Sequence, residues 1–140
     1  MTPDKAKIAA QFISAIPHCK ALNMRLTGIG DGEAEMELPY DLRIVGDPET
    51  GVIHGGAVSA LMDTCCGAAA MSHPSSPAAT ATIDLRIDYM RPATPGQTIR
   101  TRAECYRITR SVAFVRATAT DDDTQSPVAT ATGAFTVETK

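Results

Sequence analysis

The stretch GVIHGGAVSALMDTCCGAAA, residues 51–70, carries the residue types that could do chemistry. His54 is followed by Gly55 and Gly56, and a single carboxylate, Asp63, then lies within an otherwise apolar segment. On a helix that starts here, the glycines let the backbone approach a ligand closely, and the free amides favour a negative oxygen. A carboxylate can attack a carbonyl carbon or activate water. The pair of features therefore indicates chemistry at a carbonyl group, with a buried structural Asp63 as the alternative.

Helix geometry sets a condition on that chemistry. Asp63 shares a helix face with small or weakly polar residues, namely Ser59, Ala60, Cys66 and Gly67. The larger apolar side chains point elsewhere, namely Val58, Leu61, Met62 and Cys65. Gly55 and Asp63 are eight residues apart, about 12 Å along a helix axis. Since one chain cannot easily bring both groups to the same carbonyl, we expect them to act across a dimer interface.

The surrounding pattern predicts one α+β domain over residues 1–140. Helices are expected at 1–18, on an apolar stripe after a Thr-Pro start, and at 54–72. A loop rich in Gly, Pro and Asp is predicted over residues 40–51. Alternating apolar and polar residues predict six strands, at 24–29, 33–38, 79–91, 97–108, 111–120 and 128–138. This order of elements favours a long antiparallel sheet covered by one helix.

Composition excludes several classes of function. The chain has a net charge of −3 and no Trp, which argues against nucleic acid as a partner. Its four cysteines and three histidines form no metal-site spacing, so no metal is expected. No apolar run is long enough for a membrane span or a signal peptide. With its cysteines expected to be reduced, we predict a soluble, cytoplasmic protein.

Three motifs in the sequence together resemble the hotdog-fold acyl-CoA thioesterases, specifically the phenylacetate-type branch. The first is His-Gly-Gly followed by an Asp nine residues after the His, on an apolar helix. The second is TATIDLRIDYMRPATPGQTI, residues 80–99, which resembles the family's following strand with its Tyr, Pro-Ala and Gly turn. The third is RITRSVAFVRATATD, residues 107–121, which resembles the next hairpin. The resemblance covers about residues 20–138.

The resemblance implies a hotdog fold, with a sheet wrapped around the central helix, and hydrolysis of an acyl-CoA thioester without a cofactor. It also implies dimers that pair their sheets edge to edge, often as dimers of dimers. Asp63 matches the catalytic carboxylate, as nucleophile or general base, and Gly55 the glycine whose amide polarises the thioester carbonyl. His54 matches the histidine beside that glycine. Thr82 lies where some relatives have a serine that orients the water.

The predicted substrate contacts are Gly56, Asp47, Arg91, Arg110 and Ser111. The arginines and the serine are candidates for the phosphates of coenzyme A, with Arg110 and Ser111 matching a turn that the family uses near the nucleotide. The chain departs from the family at Pro48, where relatives often carry an Asn, and Asp47 is the neighbouring candidate. An ionised Asp47 could not donate a hydrogen bond, so the second donor to the carbonyl oxygen is in question.

Other readings stay open. Cys65 or Cys66 with His54 could form a thiol nucleophile, although a cysteine on an apolar helix is usually packing. A non-catalytic acyl-CoA binder and an acyl-thioester hydratase or dehydratase are the alternative functions. The acyl pocket is expected to use Leu61, Met62 and the loop at 40–45. The acidic run 121–123 is expected to face solvent.

Overall fold

A six-stranded antiparallel sheet wrapped against one long helix forms most of the chain in the computed structural model, which describes residues 2–76 and 79–137. The helices are α1 (Pro3–Ala15), α2 (Pro17–Leu22) and α3 (Gly55–Ser72). The strands are β1 (Arg25–Gly30), β2 (Glu33–Leu38), β3 (Val45–Asp47), β4 (Val52–Ile53), β5 (Ala81–Tyr89), β6 (Ile99–Ile108), β7 (Val112–Thr120) and β8 (Ala129–Thr136). The sheet order is β1-β2-β6-β7-β8-β5, and β3 pairs with β4 in a separate ladder. The predicted α+β hotdog fold is confirmed.

Helix α3 packs its apolar side against the sheet. It begins at Gly55, directly after the capping residue His54, and ends at Ser72, just before Pro74. Its buried side chains meet strands β2, β6 and β7. Many of the buried residues in this layer are alanines, namely Ala57, Ala68, Ala69 and Ala70 on the helix and Ala113, Ala117, Ala119, Ala129 and Ala131 on the sheet. Helix and sheet can therefore approach closely.

Strand β5 is an edge of the sheet, and a β-bulge changes which way its first residues face. Thr82 pairs with Phe135, whereas Asp84 pairs with Ala134, so Ile83 is an extra residue in the ladder. Strict alternation would put Thr82 and Asp84 on the same face. The bulge instead turns Thr82 to the face of the buried Phe135, towards α3.

The N-terminal and loop predictions differ from the structure in detail. The helix expected over residues 1–18 is two helices, because the chain is extended at Ile16 and restarts at Pro17, a favoured first residue of a helix. The segment predicted as a loop contains the β3–β4 ladder and a 3₁₀ turn, Leu42–Ile44. The end of the strand predicted over 128–138 lies partly outside the described residues.

The expectation that residues 121–123 face solvent is wrong at Asp121, which is 1% exposed. Its two carboxylate oxygens each accept a 2.7 Å hydrogen bond from the guanidinium of Arg91. The amides of Thr94 and Asp123 also donate to it. Arg91 donates in addition to the carbonyl of Ser126. This ion pair ties the segment after β5 to the β7–β8 turn, a long-range contact that the sequence pattern does not reveal.

In the described ranges, no helix is long and apolar enough to cross a bilayer. Those same ranges also contain no group of three His, Cys, Asp or Glu side chains that could hold a metal ion.

Candidate active site

The start of α3 presents an amide group to solvent. The amide of Gly56 donates to Nδ1 of His54 at 2.8 Å, and that of Ala57 donates to the His54 carbonyl at 3.0 Å. Within the described chain the Gly55 amide donates to no acceptor. Because Nδ1 of His54 is an acceptor, the neutral ring carries its proton on Nε2. The helix start thus offers two donors, the Gly55 N–H and the His54 Nε2–H.

Two contacts that sequence reasoning missed hold this helix start in place. The hydroxyl of Tyr89 donates to the Gly55 carbonyl at 2.9 Å, so the Gly55–Gly56 peptide is bonded at both its carbonyl and its amide. Gly46 packs so closely that a Cβ atom there would lie 2.8 Å from Cα of His54. The extended pattern of β5 could have pointed to Tyr89, but nothing in the sequence pairs Gly46 with His54.

Asp63 lies partly exposed in the middle of α3, with Thr82 as its partner. The hydroxyl of Thr82 donates to Oδ1 of Asp63 at 2.8 Å, across 19 residues of sequence. The structure thus brings together two of the predicted site residues, a carboxylate on the helix and a hydroxyl on the strand, through a direct bond that the sequence did not predict. Oδ2 of Asp63 accepts no hydrogen bond from the described residues.

The cysteines beside Asp63 do not support thiol chemistry. Burial, and then the negative charge of Asp63, raises the pKa of Cys66 to about 12. Burial likewise raises the pKa of Cys65. Both side chains are enclosed in the core, so Cys66 does not share the open face predicted for it. Since the thiolate is the nucleophilic form, a cysteine mechanism with His54 is disfavoured.

The Asp63 carboxylate and the Gly55 amide lie beside opposite ends of the edge strand β5. Thr82, near the start of β5, contacts Asp63, and Tyr89, at its end, contacts Gly55. Gly55 and Asp63 are separated by eight residues of continuous helix, about 12 Å along its axis. A single chain therefore does not bring the amide and the carboxylate together at one carbonyl.

The predicted substrate contacts have different surroundings. Asp47 accepts bonds from the Glu49 amide at 3.0 Å and the Thr50 hydroxyl at 2.9 Å, closing its own turn. These bonds, that from Glu49 first, hold the pKa of Asp47 below its usual range. Arg91 is engaged by Asp121, as described above. These contacts make both residues part of the scaffold.

The remaining predicted contacts, Arg110 and Ser111, form the exposed turn between β6 and β7. Thr136 on β8 pairs with Val112, just after this turn, and also with Ala81, at the start of β5. The turn is therefore near the Thr82 end of β5.

The expected acyl pocket is wrong for two of its residues. Leu61 and Met62 are fully buried against the sheet and line no open space. Both belong to the core that supports α3.

Comparisons with known proteins identify the family. The model of the thioesterase superfamily matches residues 50–128, more than half of the chain. A Halobacterium salinarum protein, provisionally named an esterase, is 32% identical over 93 residues, covering 64% of this chain and 62% of that protein. The chain thus spans less than two thirds of the length of this curated relative.

Solved structures extend the likeness to almost the whole chain. A Pseudomonas aeruginosa protein is 41% identical with a TM-score of 0.83, covering 94% of this chain and 97% of that one. A variant of the phenylacetic acid degradation protein PaaI from Thermus thermophilus is 25% identical with a TM-score of 0.76, covering 86% and 98%. Together with the family match, these relatives establish that the chain belongs to the thioesterase superfamily and has the hotdog fold of its PaaI-like branch.

Proposed function

We propose that this protein is an acyl-CoA thioesterase whose active site is completed by two chains. The observation that carries the proposal is the Thr82–Asp63 hydrogen bond at one end of β5, with the open helix start at the other end. Family membership supports thioester hydrolysis as the reaction. The acyl-CoA substrate is what the resemblance to the family implies, and the dimer is an inference from the geometry.

The free edge of β5 supports the dimer. Ile83, Tyr89 and Met90 are 54%, 53% and 57% exposed along this edge, where apolar side chains favour association. Two copies related by a two-fold axis would pair these strands antiparallel. The Thr82 end of one strand then lies beside the Tyr89 end of the other. Asp63 of one protomer would thereby approach Gly55 of its partner.

In such a site, each group has a defined task. The Gly55 amide and the His54 Nε2–H donate to the thioester carbonyl oxygen, and they stabilise the negative charge that develops there. Asp63 either attacks the carbonyl carbon, giving an anhydride that water then hydrolyses, or takes a proton from an attacking water. In the first route the carbon–sulfur bond breaks when the anhydride forms and the sulfur leaves as the coenzyme A thiolate, and the water that hydrolyses the anhydride supplies the proton that converts it to the thiol. In the second route the carbon–sulfur bond breaks after water has added, and the proton that Asp63 took from that water passes to the sulfur. Thr82 holds Oδ1 so that Oδ2 is directed at the substrate.

The Arg110–Ser111 turn is the proposed contact for the coenzyme A phosphates. It is exposed and lies near the Thr82 end of β5, hence near the carboxylate half of the site. Asp47 and Arg91 are not part of the proposed site, because their polar groups are bonded within the fold. The family's second hydrogen-bond donor to the carbonyl oxygen is missing at Pro48, and in this proposal the Nε2–H of His54 takes its place.

A non-catalytic acyl-CoA binder is the second candidate. It is favoured by one observation: Pro48 lies in a turn whose Asp47 carboxylate is occupied by Glu49 and Thr50. This segment therefore supplies no side-chain donor to a carbonyl oxygen. A hydratase finds no corresponding support in the residues around Asp63.

Thiol release from a panel of aryl, short-chain and medium-chain acyl-CoAs tests the proposal. We expect the intact protein to hydrolyse at least one member, and Asp63→Asn to lose about two orders of magnitude or more in kcat. Asp122→Asn, the same substitution in the exposed β7–β8 turn, is the matched control. Binding of the thioesters without turnover would favour the binder. An Asp63→Asn variant as active as the intact protein would make Asp63 structural.

The assembly and location complete the proposal. The homodimer is the minimum active form, and a dimer of dimers stays a prediction. The four free cysteines support a reducing, cytoplasmic location.

A further inference from the structure

A groove of about 420 Å³ lies beside the start of α3 and was not anticipated from the sequence. It lies between the helix start and the end of β5. Gly55 forms part of its wall. Its other principal lining residues are Val52, Val58, Tyr89, Met90, Pro92 and Val128. The volume is within the range of small-molecule sites.

The groove offers a neutral, apolar surface. Arg91 is the one charged residue among those that line it, all of them within the described ranges. Its guanidinium is bonded to the buried Asp121 at 2.7 Å and to the Ser126 carbonyl. The charge of Arg91 is thus balanced inside the fold. A negative group entering the groove would lose water without gaining a free cation.

The position of the groove relates it to the reacting carbonyl. Because Gly55 lines the groove, a thioester bound by the Gly55 amide would have its carbonyl group beside the groove. The Arg110–Ser111 turn lies at the opposite end of β5. In an antiparallel dimer, the partner's turn would lie across the site from this groove. The phosphates and the acyl group would therefore extend in opposite directions from the carbonyl.

We propose that this groove holds the acyl group and restricts the enzyme to uncharged, apolar acyl chains, excluding those with a terminal carboxylate. The inference rests on the proposed function, because it assumes that the Gly55 amide binds the thioester carbonyl. It adds a substrate class that neither the family nor the catalytic residues specify. Met90 lies at the rim of the groove, on the same β5 edge that we propose to pair in the dimer, and a charge introduced at this position should alter that selection.

Binding of two thioether analogues, measured by calorimetry with the full chain, tests this inference without requiring turnover. S-hexyl-CoA and S-(5-carboxypentyl)-CoA have chains of the same length and differ in the terminal carboxylate. We expect the intact protein to bind the hexyl compound about tenfold more tightly or better, since the carboxylate must be desolvated in the groove. Met90→Arg should reduce that ratio at least fivefold, and Met90→Gln, a neutral side chain of similar size, should not.

Two further variants keep the test decisive. Ile8→Arg adds the same charge to an exposed apolar residue on α1 and should leave the ratio unchanged. Pro92→Arg, compared with Pro92→Gln, adds the charge to the groove from outside β5, in case Met90→Arg alters the dimer. Equal ratios in all variants, or failure of the intact protein to bind either analogue, would overturn the inference. Absence of thioester turnover with the binding ratios as expected would instead reject the catalytic proposal alone.

Discussion

The hydroxyl of Thr82 donates a 2.8 Å hydrogen bond to Oδ1 of Asp63, and this bond joins the edge strand β5 to the middle of α3. It depends on the β-bulge at Ile83, which turns Thr82 towards the helix. One carboxylate oxygen is held, and the other, Oδ2, accepts no hydrogen bond from the described residues. The side chain of Asp63 is therefore oriented before any substrate arrives.

Thr82→Val keeps the shape of the side chain and removes this bond. We expect kcat to fall about tenfold to a hundredfold with little change in KM, because a misplaced carboxylate weakens the reacting step more than binding. Thr82→Ser should keep most of the activity. Thr132→Val, on the opposite face of the sheet, is the control. Steady-state kinetics on the preferred acyl-CoA measure the effect, and full activity in Thr82→Val would show that Asp63 needs no orienting hydroxyl.

The Gly55 amide can be removed without breaking the helix. Gly55→Pro deletes the N–H at the first helical position, where proline is favoured, and the extended backbone of His54 accepts a following proline. We expect a loss of about a hundredfold or more in kcat, as for other oxyanion donors. Gly55→Ala keeps the N–H, and its Cβ would contact Tyr89 at an ordinary 3.5 Å. If the two variants are equally active, the Gly55 amide does not bind the carbonyl.

A site completed by two chains predicts complementation. Gly55→Pro and Asp63→Asn each remove a different half of every site. Refolding the two inactive proteins together at equal amounts should give about half mixed dimers. One of the two sites in a mixed dimer then has both its Gly55 amide and its Asp63 carboxylate, so about a quarter of the intact activity should return. Each variant refolded alone is the control. No recovery in a mixture shown to contain mixed dimers would place both halves within one chain.

The sequence pattern was sufficient for the architecture, because α3 is the one long apolar segment and the strands alternate with a two-residue period that reflects burial on one face. It also singled out Asp63 as a candidate, since a lone carboxylate in an apolar helix is unusual. It could not reveal the bulge at Ile83, because an extra residue leaves the local alternation intact. Nor could it foresee that Asp121 is buried, because the partner that balances its charge, Arg91, is 30 residues away.

The Asp121–Arg91 pair predicts the acid sensitivity of the fold. The hydrogen bond from Arg91, with those from Thr94 and Asp123, holds the pKa of Asp121 well below its usual range. The stability that this ion pair contributes is fully present above about pH 4, the pKa of an aspartate in the unfolded chain. It is lost as the pH falls towards the lower pKa that Asp121 has in the folded chain. We expect Asp121→Asn to lower the free energy of unfolding at pH 7 by about 2–3 kcal/mol.

Denaturant unfolding between pH 7 and pH 2 measures this dependence. The intact protein should lose stability more steeply below pH 4 than Asp121→Asn, because the variant no longer has this carboxylate to protonate. Asp122→Asn, whose side chain is exposed, should behave as the intact protein does. Parallel curves for the intact protein and Asp121→Asn would mean that other carboxylates govern acid unfolding.

The alanine-rich layer between α3 and the sheet has a consequence for the evolution of the site. Thr82 and Asp63 are both short side chains, so their hydrogen bond tolerates only a small gap between strand and helix. Buried alanines such as Ala69 and Ala131 are small enough to allow this close approach of helix and sheet. A larger side chain at these positions would push the helix away from the sheet and separate Thr82 from Asp63. The packing of the interior is thus coupled to the chemistry of the site, and we expect bulkier residues in this layer to lower activity even in a chain that still folds.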